Sequence, residues 1–286
     1  MKTKAVSSIS SVDYGLAALI AVGVSLLYFS VFSGLVHDWS TNDNYSHGFF
    51  IPLISLYMIY AMRSELTKCP IKPVNLGLPV LLLGLAQLLV AVTGSEFFLQ
   101  RTSLLPVLFG LSLFLLGTCY AKKLLFPIVY LIFMIPLPAI IWNKIAFPMQ
   151  LFSTRLTESV VHLIGIPVFR EGNILQLAST TLEVVDACSG LRSLTTMFAL
   201  SAALAWFAGY STPKKWFLFF MAAPIAVFAN IIRLTFTAIL ASRYGSEVAQ
   251  GFLHEFSGMV TFFIGLAILL AFHAILTKME QPKPAA

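Results

Sequence analysis

Charge is scarce in this chain. Only 10% of its 286 residues are Asp, Glu, Lys or Arg, against about 25% in soluble globular domains. The shortage runs along the whole length, while 58% of the residues are hydrophobic and the mean hydropathy is +0.89. That excludes a soluble globular domain and fits a polytopic membrane protein. A net charge of +6 would suggest nucleic acid in a soluble protein. Here the basic residues sit in short connections between apolar runs, which is a topology signal. Membrane lipids are therefore the expected surroundings, and no nucleic-acid partner is expected. Cysteine is scarce too. Three residues cannot all pair, and no Cys-x-x-Cys or Cys/His cluster suggests zinc or a redox motif. No metal and no cofactor are expected. Cys69 follows Lys68, and Cys119 precedes Lys122 and Lys123. Both read as unreactive free thiols near the cytoplasmic face. No cleavable signal peptide is expected, because residues 1–13 are polar and the first apolar run is too long for a signal core.

What is present is a series of apolar runs. A spanning helix needs about 20 mainly apolar residues, and such runs cover residues 14–36, 48–62, 76–93, 104–119, 124–141, 191–210, 216–240 and 258–276. Lys2 and Lys4, Lys68 and Lys72, Lys122 and Lys123, Lys214 and Lys215, and Lys278 and Lys283 fall in alternate connections. Only Lys144 falls on the other side, with most of the acidic residues. The positive-inside rule then places both termini in the cytoplasm. The one long outer connection is 142–190. Its part 143–164 has apolar residues at near-helical spacing (Ile145, Met149, Phe152, Leu156, Val160, Leu163), interrupted by Arg155 and Glu158. That predicts a helix lying on the interface or re-entering it. Beyond it, Glu171-Gly172-Asn173 is a turn signal, and 174–178 and 181–185 read as short strands. The expected fold is an all-α polytopic membrane protein of about eight transmembrane helices, with a small β element and an interfacial helix on the exoplasmic side. It forms one domain over 1–286, in which 143–187 is the exoplasmic loop and 188–276 the catalytic three-span region.

Three points on the outer face carry chemistry. Cys188 stands where the polar connection gives way to the sixth run. With Asp186 or a neighbour as cap, it would lie in the first helical turn, where backbone N–H groups and the helix dipole lower a thiol pKa. Arg192, four residues on, would share its face, and Ser189 and Gly190 leave the sulfur uncrowded. The ordinary fate of a free cysteine is a small buried core residue, but this setting is polar. Arg233 lies in the seventh run, roughly 25 Å along it at about 1.5 Å per residue, with Asn230 on the same face. A charge inside a span is a functional signal by default, although an arginine near the outer leaflet can also snorkel to phosphates. His254, followed by Glu255, stands at the outer mouth of the last run. Histidine carries protons near neutral pH, yet a lone interfacial histidine is often incidental. The three together place a nucleophile, an anion-stabilising cation and an acid–base group near one face.

Ala187-Cys188-Ser189-Gly190, Asn230-x-x-Arg233 and His254-x-x-x-Gly258, on successive spans in this order, resemble the exosortase/archaeosortase family. Tyr45-Ser46-His47-Gly48 also looks like that family's early motif. The resemblance implies a membrane-embedded cysteine transpeptidase or protease. It would cleave the C-terminal sorting signal of exported proteins (a motif such as Pro-Glu-Pro, a transmembrane helix and a basic tail). It would then pass the new carboxyl end to an extracellular acceptor nucleophile through a thioacyl intermediate. Cys188, Arg233 and His254 would be catalytic. Asn230, Arg192, Ser189, His47 and Glu255 would support them or contact substrate. The enzyme would sit in the cell (inner) membrane as a multi-pass protein with its active site facing the periplasm or exterior. A membrane transporter is the main rival, although no internal repeat between halves is evident. A lipid-acting acyltransferase would share the thiol chemistry.

Overall fold

The computed structural model describes residues 11–178, 180–184, 190–245 and 252–280. The helices are, in chain order, α1 (Ser11–Leu27), α2 (Phe29–Thr41), α3 (Phe50–Ala61), the single turn α4 (Arg63–Leu66), α5 (Gly77–Thr93) and α6 (Phe97–Thr102). There follow α7 (Leu104–Leu111), α8 (Thr118–Tyr130), α9 (Ala139–Leu163), α10 (Leu191–Phe207), α11 (Thr212–Tyr244) and α12 (Phe252–Lys278). The chain divides into two compact units, Met1–Thr41 with Glu65–Leu125, and Asn42–Ser64 with Phe126–Ala286.

In the first unit, α1 and α2 are bent by 62° where they meet. The break is at Tyr28, which is fully buried and hydrogen-bonded to Ser103 Oγ at 2.9 Å. Since Ser103 Oγ donates to the Gln100 carbonyl, Tyr28 is the donor. Helices α5 and α7 pack through glycines. A Cβ at Gly84 would lie 2.8 Å from Val107 Cγ2, and one at Gly110 would lie 2.5 Å from the Leu81 backbone nitrogen. Small residues let helix backbones approach this closely where lipid supplies no hydrophobic drive. Arg101, 8% exposed, is paired with Asp38 at 2.7 Å, as a charge this buried must be. Cys69 and Cys119 are joined as a disulfide, Cα to Cα 5.8 Å. The expectation of two free thiols is thereby corrected: fifty residues apart in sequence, they meet because a bridge between Lys72 and Gly117 brings their two connections together. Glu65 pairs with Lys123 there, and that ammonium holds the carboxyl below its usual range.

In the second unit, α10, α11 and α12 pack around Met197, Leu218, Ala222, Ile225 and Leu269. Lys214 ties the start of α11 to Glu280 just beyond α12, at 2.6 Å. Three strands, β1 (Val168–Glu171), β2 (Ile174–Leu177) and β3 (Thr181–Glu183), form an antiparallel sheet in the order β1-β2-β3. Gly172 and Asn173 make the two-residue turn, with Gly172 at φ 63°. The glycine supplies the positive φ that such a hairpin needs. Sequence reading placed the second and third strands and left Val168–Glu171 unassigned. The inward side chains Val168, Leu175 and Leu177 pack on Val161 of α9 and on Ala238 and Ala241 of α11.

Helix α9 begins four residues earlier than expected, directly after Pro136 and Pro138. Those prolines cannot donate the hydrogen bonds that would continue the preceding helix. Segment Thr118–Met134 and α9 meet at 76°. The face of α9 that is buried is small and polar, with Gln150, Ser153, Thr154 and Thr157, while Phe152 and Leu163 are 53% and 87% exposed. This is the reverse of a soluble amphipathic helix and suits an element whose outer side meets lipid.

Among the described residues, three helical stretches are long and apolar enough to cross a membrane, Phe97–Leu116, Thr212–Tyr244 and Ser257–Lys278. Two bent pairs, Ala18–Leu27 with Phe29–Thr41 and Thr118–Met134 with Ala139–Leu163, raise the number to five if each pair is one span. The other runs form shorter helices: α3 has 12 residues and α5 and α10 have 17 each. Apolar residues continue past the helix ends in these runs, which is why hydropathy alone lengthened them.

Candidate active site

One wall of the site is the 3-10 turn Asp43–Phe49 that precedes α3. Asn42 caps it, its Oδ1 accepting from the Asn44 N–H at 3.0 Å. Tyr45 is buried against Trp142, ring centroids 5.4 Å apart. His47 Nε2 lies 3.1 Å from the Phe133 carbonyl oxygen. A carbonyl only accepts, so Nε2 carries the proton and donates. Nδ1 is then the acceptor nitrogen, and it is buried with no partner among the described residues. Burial pushes the imidazole pKa below its usual range, against a smaller opposing effect of the Phe133 hydrogen bond. His47 is therefore a neutral imidazole at neutral pH.

The second wall is the meeting of α10 with α11. Gly190 caps α10 with φ 82°, and a Cβ there would lie 3.0 Å from Asn230 Cγ. Glycine is needed both for the left-handed backbone and for the close approach. Asn230 and Arg233, 1% and 8% exposed, occupy one face of α11 three residues apart, and both are partnered. Arg192, in the first turn of α10, donates from Nη2 to Asp43 Oδ2 at 3.3 Å and from Nε to Asn44 Oδ1 at 3.4 Å.

These walls enclose a cavity of about 1040 Å³. Asp43, His47, Arg192 and Arg233 are among its polar lining, and Ile54, Leu200, Met259 and Phe262 among its apolar lining. Gly190 and Gly258 line it too. Of the residues expected from the sequence, His47, Arg192 and Arg233 thus share one space, with Asn230 packed under Gly190. Cys188 and Ser189 lie outside the described residues, as does Asp186. His254 and Glu255 occupy the first turn of α12, of which the backbone alone is described. Helix α10 starts at Leu191 with Gly190 as its N-cap, and the Arg192 guanidinium is directed to Asp43 and Asn44; the expected placing of Cys188 in a first helical turn lies outside the described residues. The link between Arg192 and Asp43 had no signal in the sequence, because 149 positions separate them.

A family model for transmembrane exosortases matches residues 39–271, which is most of the chain and contains every residue lining the cavity. The chain belongs to the transmembrane exosortase family. No significant match to a curated protein or to a solved structure was found. An exosortase is a membrane enzyme of the protein-sorting transpeptidase kind, so its substrates are proteins that carry sorting signals. The cavity of this exosortase carries charged or polar groups on both walls, Asp43 and His47 on one and Arg192 and Arg233 on the other, among apolar side chains.

Proposed function

We propose that this exosortase is a cysteine transpeptidase that cleaves a Pro-Glu-Pro-type C-terminal sorting signal at the outer face of the membrane, both of its termini being cytoplasmic. The Cys188 thiolate attacks the scissile carbonyl carbon, and the tetrahedral oxyanion is stabilised by the Arg233 guanidinium. As the C–N bond breaks, His254 gives its proton to the leaving amine, leaving a thioester on Cys188. The imidazole next takes a proton from the acceptor nucleophile, whose attack on the thioester releases the sorted protein and restores the thiolate beside a protonated His254.

One observation carries the reading: Gly190, Arg233 and Gly258, each belonging to a different motif, line the same cavity. Two residues of backbone separate Gly190 from Cys188, a reach of at most about 7 Å. Gly258 is one helical turn, about 6 Å, from His254.

The test is processing of a co-expressed reporter that ends in a Pro-Glu-Pro motif, an apolar helix and a basic tail. Cys188→Ala lowers the rate by more than about 10³-fold. Arg233→Ala lowers it by about 10²- to 10³-fold, and His254→Ala by about 10²- to 10⁴-fold. Normal processing by the Cys188→Ala protein sinks the proposal.

A further inference from the structure

Cys69 and Cys119 are bonded in the part of the chain whose charge marks an inner side. Residues 62–76 and 117–123 carry Arg63, Lys68, Lys72, Lys122 and Lys123, with Glu65 as their only acid. By the positive-inside rule such connections face the cytoplasm. Structural disulfides belong to oxidising compartments, whereas those of the cytosol are as a rule transient, catalytic or redox-sensing. A bond on this side is therefore expected to be one that opens.

The surroundings suit exchange. Cys69 is 8% exposed and Cys119 is half-buried, so an incoming thiolate meets Cys119 first. Cys69 follows Lys68, and Cys119 stands in the first turn of α8. A neighbouring cation and a helix N-terminus both favour a thiolate as leaving group. Little else ties the two connections together. The Lys72 N–H donates to the Leu116 carbonyl at 3.2 Å. Lys123 pairs with Glu65, whose side chain is 61% exposed, and an ion pair so open to water contributes little.

We infer that Cys69 and Cys119 form a reversible thiol–disulfide exchange site for a cytosolic dithiol, which locks and frees the start of α8. The inference rests on the proposed orientation, with both termini cytoplasmic, and is independent of the chemistry given to Cys188. To open the site, one thiolate of the dithiol attacks Cys119 Sγ. The bond between the two cysteines breaks, and Cys69 leaves as a thiolate that takes up a proton. The second thiolate of the reductant then attacks the reductant's own sulfur in the mixed disulfide. Cys119 is released, the reductant becomes a disulfide, and two electrons have passed from it to the protein. Closing reverses these steps, with an oxidised dithiol accepting the two electrons.

The test uses the Cys188→Ala protein in growing cells, so that the pair alone is counted. Cells are quenched in acid, free thiols are blocked with a small maleimide, and bonded ones are tagged after reduction with a heavy maleimide. The bonded fraction is expected to rise at least about fivefold when the thiol oxidant diamide is added, and to fall back once it is washed out. A pair bonded in nearly every chain before treatment, or still free after the oxidant, overturns the inference. Orientation is read separately, with an impermeant maleimide applied after a permeant dithiol. Labelling of the pair only once the inner membrane is opened supports the cytosolic placing. Labelling on intact cells overturns the orientation and the inference with it. In purified protein, amides of residues 121–125 are expected to exchange at least about tenfold faster after reduction. Equal exchange in the two states means that the bond locks nothing, and overturns the inference.

Discussion

A methyl group at position 190 would meet Asn230 at 3.0 to 3.2 Å and would have to accept φ 82°. The left-handed backbone alone costs a non-glycine residue roughly 1–2 kcal/mol, and the contact adds strain that the buried Asn230 has little room to relieve. Gly190→Ala is therefore expected to lower the unfolding midpoint in detergent and to reduce processing, because the start of α10 must move off α11. His47 gives a pH signature. Its folded pKa lies below the ordinary imidazole value of 6.5. The unfolded chain then binds more protons once pH falls below about 6.5, so stability is full above that value and is lost as pH falls through the lower folded pKa. Thermal melts between pH 7.5 and 5 are expected to show this loss. His47→Gln, which keeps a donor for the Phe133 carbonyl and does not titrate, is expected to flatten the slope. Equal slopes in the two proteins would contradict the account. At this scale the sequence disclosed residue types well and pairings poorly. Arg233 stood out as a charge in an apolar run, whereas the Arg192–Asp43 contact depends on chain folding that no local pattern encodes.

Between elements, α5 packs closely on α7. Gly84 sits with Val107 Cγ2 at 2.8 Å and Val107 N at 2.9 Å from where a Cβ would be. Overpacking of this kind costs about 1–3 kcal/mol. Gly84→Leu is expected to lower the yield of monodisperse protein, and Gly23→Leu on α1, where nothing lies within 4 Å, to leave it unchanged. A Gly84→Leu protein as stable as the wild type would show that the two helices do not approach as described. Elements bounded by glycine and proline were readable from the sequence: the Gly172 hairpin turn fell where Glu171-Gly172-Asn173 predicts it. Those whose limits depend on partners were not. The break at Tyr28 has no proline to announce it and falls at a buried side chain hydrogen-bonded to Ser103, 75 positions away. The apolar periodicity of α9 marked its outer side, because the residues it buries include the small polar Ser153, Thr154 and Thr157.

For the whole chain, composition alone sufficed to assign it to the membrane, because low charge over the entire length has no other common cause. The lysine alternation said nothing of how the 65–72 and 117–123 connections pack inside the first unit. It did not reveal that the cysteines there are bonded, since free and paired cysteines have the same sequence. Of the three cysteines, Cys188 is the one expected to react with a membrane-impermeant maleimide on intact cells. Purified oxidised protein is expected to take one label per chain and reduced protein three. Reduction is expected to cost the first unit about 2–4 kcal/mol. Two or more labels before reduction would mean that the pair is open.

The bond between Cys69 and Cys119 also alters the connectivity of the molecule. Helices α5, α6 and α7 lie on a closed covalent ring. A protease that nicks the turn around Ser95, whose φ is 54°, would open the ring without releasing a fragment. Oxidised and nicked, the chain would keep its mass and migrate as one species; a thiol reductant would part it in two. Even in strong detergent the intact oxidised chain could not extend through the ring, so it should run ahead of its reduced form on a gel.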